Sequence, residues 1–348
     1  MNDTPITLSR ADSSPPRSRS ATWLSLGIGA LVTLVALYLI VRSVNFELTL
    51  LAIRSANLWL VLAALGVQLA AMLFVIRRWQ ILLRPYPTRY NELTQIYFSA
   101  HLLNTILPAK MGTLARILLA AEMENLNVGF VFGSIAIEKV LDSLVMLLLL
   151  AVIAPFVPMP EWLRETVTAS VLLVLLLLLL LVSVARFRSA LLNAVTRFET
   201  RLFGAQSTRL ALLVRGVIES LMNLTRRREL ASVLFWTVCA ILAGGLVNQL
   251  LFAALDISVP WSATWFVMVV LQIGTRVPAL PANLGVFHYV VILALSVYSV
   301  NENTALAYAI LLHLVVFVLP ALIGALCALP ISARLFALLT NRTQPTTE

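Results

Sequence analysis

Residues Leu102 to Ala120 read LLNTILPAKMGTLARILLA, and this stretch decides the fold. A proline, a lysine, a glycine and an arginine fall between Pro108 and Arg116, inside an otherwise apolar run. Lipid offers the backbone no hydrogen-bonding partner, so a chain inside it must be helical or shielded by other protein. Pro108 ends an incoming helix, because it lacks an N–H and clashes with the preceding turn. Gly112 allows a sharp turn and the close approach of another group. A new helix is expected to start near Thr113, its free N–H groups aimed into the membrane. Each arm of residues 96–121 is about 8 to 12 residues, too short to cross alone and suited to a re-entrant hairpin. The alternative is one kinked span that carries Lys110 and Arg116 through the bilayer.

The rest of the chain places this stretch in a membrane. Its 348 residues are 60% hydrophobic and 12% charged, whereas soluble domains are about a quarter charged. Six apolar runs, roughly 23–41, 58–76, 130–154, 166–185, 232–254 and 305–329, have the length of membrane-crossing helices. The first, Trp23 to Val41, is too long for a signal-peptide core and lacks a small-residue cleavage site. Residues 264–300 are apolar but interrupted near Pro281 and Gly285, and read as a second hairpin. The fold class is therefore all-α and polytopic, with six full spans and two re-entrant helical hairpins.

The net charge of +9 does not point to nucleic acid, because the basic residues flank spans, where they set topology. With the N-terminus inside and both hairpins re-entrant, 18 arginines fall inside and three, Arg42, Arg54 and Arg164, outside. That distribution predicts a multi-pass protein of the cytoplasmic (inner) membrane with both termini in the cytoplasm. The first hairpin then enters from the cytoplasm and the second from outside. Residues 1–22 read as a disordered polar tail, 23–330 as one transmembrane domain and 331–348 as a cytoplasmic tail. The arginine-rich loop 186–231 reads as amphipathic helices on an anionic membrane surface, an anchor for topology. Cys239 and Cys327 lie in apolar runs as packing residues and predict neither a disulfide nor a thiolate metal site.

An internal order emerges from the breaks. Leu107–Gly112 is LPAKMG and Leu280–Gly285 is LPANLG, with Pro and Gly at the same spacing. Residues 23–154 and 166–329 would each hold three spans and one hairpin, so the second repeat starts on the opposite side and is inverted. Inverted repeats with broken helices meeting near the midplane are a recurrent transporter design.

The charged residues near the breaks suggest an anion site. Helix N-termini carry free N–H groups and the positive end of the dipole. Lys110 stands at the first, with Arg116 further along; Asn283 and Gly285 open the second, with Arg276 on the incoming arm. Asn104 and Asn283 would add hydrogen bonds. A cation at the bilayer centre costs about 2.5–3.5 kcal/mol on insertion scales, so such residues face protein, water or a ligand. The chain has two lysines, Lys110 and Lys139, and both fall in this region. In Glu138-Lys139-Val140-Leu141-Asp142 the two carboxylates share one helix face. They read either as an ion-pair network neutralising Lys139 and Arg116, or as carboxylates that compete with a substrate anion or carry protons; both can hold together. His101 and His288 flank the breaks and are candidates for a proton-sensitive role; His313 reads as a satisfied buried histidine. No zinc-ligand spacing, phosphate loop or serine elbow is present, so no metal, no cofactor and no enzyme activity is expected.

The ordered set Asn104, Pro108-x-Lys110-x-Gly112, Arg116 and Glu138-Lys139-x-x-Asp142, followed by LPANLGVFHY at Leu280–Tyr289, resembles the transmembrane region of lysylphosphatidylglycerol synthases and related flippase-like proteins. The resemblance spans about 23 to 330. It implies a lipid-handling membrane domain, which in the synthases moves aminoacylated phosphatidylglycerol across the bilayer. Two departures stand out. The synthases' soluble aminoacyl-transfer domain is expected to be missing. The family's second motif often carries Gly-Gly and ends in glutamate, where this chain has Asn283 and His288. The expectation is a translocase for an anionic lipid, of phospholipid or polyprenyl-phosphate type. Lys110, Arg116 and Arg276 would bind the phosphate, and Glu138 and Asp142 would release it or couple it to protons. The alternatives are a membrane partner presenting lipid to a glycosyltransferase or lipid-modifying enzyme, and an intramembrane enzyme using Glu138 and Asp142 as acid and base.

Overall fold

The structure, a computed structural model, describes residues 19–84, 86–107, 111–157, 161–203, 209–223, 227–275 and 281–332. Pro108, Lys110 and Arg276, and most of both expected tails, lie outside the described residues. Among the described residues the chain is all helical. The principal helices are α1 (Arg19–Ser43), α2 (Phe46–Ser55), α3 (Leu58–Leu82), α4 (Tyr90–Ile106), α5 (Met111–Met123), α6 (Val128–Ile153) and α7 (Glu161–Arg186). They continue as α8 (Arg188–Phe203), α9 (Arg209–Asn223), α10 (Arg227–Ala254), α11 (Trp261–Gly274), α12 (Val286–Ser296), α13 (Glu302–His313) and α14 (Leu319–Ala328). A π-helical turn, Leu314–Val318, joins the last two.

Asparagine starts several of these helices. The side chains of Asn45, Asn57, Asn127 and Asn301 accept N–H bonds in the first turns of α2, α3, α6 and α13. Each such cap is worth about 1 kcal/mol over alanine and fixes where an apolar run becomes helix.

Two ends of the bundle are tied by polar contacts. At the arginine-rich end Arg84 pairs with Glu229 at 3.8 Å, the Tyr86 hydroxyl donates to Glu219 at 2.8 Å, and the Arg89 N–H donates to Glu124 at 3.0 Å. At the opposite end the Asn45 N–H donates to Asn303 at 2.7 Å, the Asn57 N–H to the Ala254 carbonyl at 2.8 Å, and the Ser262 hydroxyl to the Phe156 carbonyl at 3.2 Å. Between these ends α3 packs along α10, α4 along α14, and α11 along α6. Four helical stretches, Leu58–Leu82, Val128–Phe156, Arg227–Ala254 and Glu302–Ile331, are long and apolar enough to cross a membrane. Ala30–Ser43 with Phe46–Ser55 makes a fifth if that pair, bent by 86°, counts as one. The expected span at 166–185 falls within α7. Helix α2, which fills a segment read as an outer loop, turns sideways from α1.

In each interrupted region two short helices pack against each other. Helices α4 and α5 pack together and open at the arginine-rich end, where Arg89 meets Glu124. Helices α11 and α12 pack together and open at the opposite end, where the Phe266 and Tyr298 rings lie 5.8 Å apart. The first hairpin is longer than 96–121, because Tyr90–Gln95 extends its incoming arm as helix. Its arms close backbone to backbone at Gly112, where a Cβ would sit 2.0 Å from the Ala100 carbonyl oxygen and 2.6 Å from the Asn104 nitrogen. Gly112→Ala therefore forces the arms apart. We expect an overpacking cost at the top of the usual range of about 1–3 kcal/mol, read as a lower unfolding temperature in detergent. The second hairpin turns through Ala282 and Asn283, both left-handed (φ 56° and 54°), and Gly285 (φ 77°). This turn packs against α4, so the second interrupted region touches the incoming helix of the first.

Within 186–231, α9 docks on α6. Gly129 and Gly133 face Leu213, Val217 and Ser220, and Gly216 faces the backbone at Gly129–Phe130. This small-residue seam lets the two backbones approach closely. Arg197, Arg201 and Arg215 remain exposed.

Candidate functional site

Three neighbouring elements bring charge together in the interior. Arg78 comes from α3, Arg116 from α5, and Glu138, Lys139 and Asp142 from one face of α6. Arg116 forks onto Glu138 with both terminal nitrogens, at 3.1 and 2.9 Å. Its guanidinium lies 3.9 Å from the centre of the Trp79 ring and 4.9 Å from that of Tyr97. A planar cation suits this place, because it satisfies a carboxylate and stacks on aromatic faces at once. Arg78 donates to Asp142 at 2.6 Å and to the Thr237 hydroxyl at 3.1 Å, and stands 3.9 Å from Glu138. Arg78 and Glu138 are both 1% exposed.

Lys139 differs from the others. Its amine lies 3.4 Å from Glu138 and 3.6 Å from Asp142, and its side chain is 62% exposed. It is the most accessible member of the cluster, beside Asp142, whose side chain is partly exposed. The five side chains comprise three cations and two carboxylates, so one positive charge is in excess. The Nε of Arg78 and that of Arg116 have no hydrogen-bond partner among the described residues. Surplus charge and spare donors both favour a monoanion.

Further along α6 in the direction of Asp142, a cavity of about 240 Å³ opens between α3, α6, α10, α11 and the π turn. Its polar lining is Gln68, Asn248, Gln272 and Thr275; Met146, Met268, Phe287 and Phe317 supply apolar walls. Thr275 directly precedes the segment that holds Arg276.

The sequence matches, over residues 23–324, the family described as the lysylphosphatidylglycerol synthase TM region. The chain belongs to that family. A comparison with curated proteins gives no match. Membership in the lysylphosphatidylglycerol synthase TM family ties the chain to membrane-lipid function.

In this family member Asn104 is a cap across the hairpin break. Its side-chain oxygen accepts the Thr113 N–H at 3.1 Å, and its amide nitrogen lies 3.5 Å from the Thr113 hydroxyl. The N-terminus of α5, which begins at Met111, thus has one of its free donors held by α4. Asn104→Ala is expected to cost about 1 kcal/mol, seen as a lower unfolding temperature. Asn283 sits half-buried in the second hairpin turn, and α12 begins just after it behind Gly285. Lys110 and Arg276 fall outside the described residues, as does Pro108, whereas Pro281 opens the described second turn.

All three histidines of the chain converge. His101 approaches the Phe317 carbonyl at 3.3 Å, and His313 bonds the Ala282 carbonyl at 3.0 Å. The rings of His288 and His313 are 4.9 Å apart, and His313 and Phe317 stack at the same distance. The group joins both hairpins to the π turn. Sequence reading linked His101 and His288 to the breaks but not His313 to them. Arg78 was also missed, because Arg77-Arg78 at the end of an apolar run reads as a topological flank. The signal was present: Trp79, Ile81, Leu82 and Leu83 continue the apolar pattern, which keeps Arg78 inside the helix.

Proposed function

We propose that this chain carries an anionic lipid, of phospholipid or polyprenyl-phosphate type, across the cytoplasmic membrane as a transporter rather than a catalyst. The observation that carries the reading is the buried ion cluster with one excess positive charge and one accessible cation. A lipid phosphate that meets Lys139 neutralises the excess and competes with Glu138 and Asp142 for the amine. Arg116 and Arg78 hold the two carboxylates meanwhile, so neither is left unpaired in a low-dielectric interior. The largely apolar cavity beside the second hairpin offers the headgroup hydrogen bonds further along, from Gln68, Asn248, Gln272 and Thr275. By their place in the sequence, Lys110 within the first break and Arg276 on the incoming side of the second would add cations, and Asn104 and Asn283 position the breaks. Release follows when the carboxylates reclaim Lys139, with His101 and His288 placed to couple that step to protons.

Helix order supports two inverted units. The succession α3, α4, α5, α6 is matched by α10, α11, α12 and the α13–α14 pair, as a long helix, a short hairpin and a long helix. The contacts exchange accordingly, α3 with α10, α4 with α14 and α11 with α6. Under this reading six spans cross, the arginine-rich end is cytoplasmic, and rocking of the units exposes the site to each side in turn.

The test is accessibility. In a Cys239→Ser/Cys327→Ser background, Gln272→Cys is challenged with a membrane-impermeant thiol reagent applied to either side of proteoliposomes. Labelling from both sides is expected. Labelling from one side alone contradicts alternating access and favours a protein that presents lipid to a partner enzyme.

A further inference from the structure

Helices α3 and α10 have a second working face. Arg78 and Thr237 point into the ion cluster, while their chain neighbours Arg77 and Trp236 line a groove of about 350 Å³ on the outside of the same pair. Leu73, Phe74 and Tyr90 complete it. The Phe74 and Trp236 rings pack 5.5 Å apart, and the Tyr90 hydroxyl donates to the Leu73 carbonyl at 3.0 Å, which pins the base of α4 to α3.

The groove is graded along the helix axes. Arg77 lies seven residues before Arg84, hence about 10 Å from the arginine-rich end. Leu73, Phe74 and Trp236 lie beyond it, toward the bilayer centre. Arg77 is exposed, and its guanidinium donates to the neutral Gln80 side chain. Among the described residues, every other basic side chain from Arg78 to Lys139 forms an ion pair, and Arg77 forms none. A guanidinium with no carboxylate partner, near the arginine-rich end and above an apolar trough with aromatic walls, has the chemistry of a phospholipid site.

We propose that this groove binds one anionic phospholipid, its phosphate on Arg77 and an acyl chain along Leu73, Phe74 and Trp236. The site is separate from the ion cluster and does not depend on what that cluster moves.

Trp236 is its reporter. Full-length protein is placed in phosphatidylcholine nanodiscs that contain a minor fraction of either dibrominated phosphatidylglycerol or dibrominated phosphatidylcholine. The Trp236 signal is the difference between wild type and Trp236→Phe. Its quenching is expected to show about fivefold enrichment of the anionic lipid, the worth of one basic residue against such a headgroup. Arg77→Ala lowers that enrichment to the phosphatidylcholine level, and Lys139→Met leaves it in place. Equal quenching by the two lipids, or an enrichment that survives Arg77→Ala, overturns the proposal and leaves Arg77 a topological anchor. Loss of enrichment in Lys139→Met also overturns it, by assigning the lipid to the central site.

Discussion

Glu138→Ala is expected to destabilise the protein by about 3–5 kcal/mol, the cost of leaving buried charge without its partner. Glu138 is held by both terminal nitrogens of Arg116 and has Arg78 and Lys139 within 4 Å. Removing it leaves three cations facing Asp142 alone, two of them, Arg78 and Arg116, buried. A marked fall in unfolding temperature and in monodisperse yield after detergent extraction is the expected readout. Glu138→Leu combined with Arg116→Met should recover much of the loss, because an apolar pair removes the unpaired charge together with its partner. If Glu138→Ala unfolds at the wild-type temperature, Glu138 is not buried and paired as described.

The second large effect falls on binding and spares stability. Lys139 is exposed and held loosely, so Lys139→Met should change stability by no more than the 0–1 kcal/mol of an exposed pair, about the scatter of such measurements. It removes the excess charge, however, and with it the one accessible cation of the cluster. A charge-assisted hydrogen bond is worth about 1.5–3 kcal/mol, so affinity for phosphatidylglycerol should fall at least about tenfold. Lys139→Arg should keep most of it. Titration of detergent-solubilised protein with short-chain phosphatidylglycerol, against phosphatidylcholine, reads the difference. Unchanged affinity in Lys139→Met would remove Lys139 from the site.

These two residues also show what the sequence made legible. The apolar runs, the proline and glycine breaks and the EKxxD spacing are local signals, so the helices, the interrupted regions and the Glu138–Lys139–Asp142 face could be read directly. Arg116 could be placed near them because it follows the first break by only a few residues. Arg78 is remote in sequence, and its role depends on α3 lying along α10 and near α6, which no local pattern encodes. The histidine group has the same origin: His288 and His313 sit on the packed pair α12 and α13, and His101 on α4 reaches them through the π turn, a tertiary contact no local pattern encodes. Helix α9 makes a contact that its own pattern does not announce. Its arginines and apolar face fit a membrane surface, and the glycines at 129, 133 and 216 supply in addition the seam that packs it on α6.

The most direct measurement is lipid translocation in proteoliposomes, following a fluorescent phosphatidylglycerol, a polyprenyl phosphate and a phosphatidylcholine control, with wild type, Lys110→Ala and Lys139→Met. Wild type is predicted to move one of the anionic lipids faster than protein-free vesicles do and to leave phosphatidylcholine behind. Lys139→Met is predicted to abolish the difference, and Lys110→Ala to reduce it. No movement of any lipid by wild type, or equal movement of all three in every variant, would contradict the assignment of the charged cluster as the carrier of an anionic lipid.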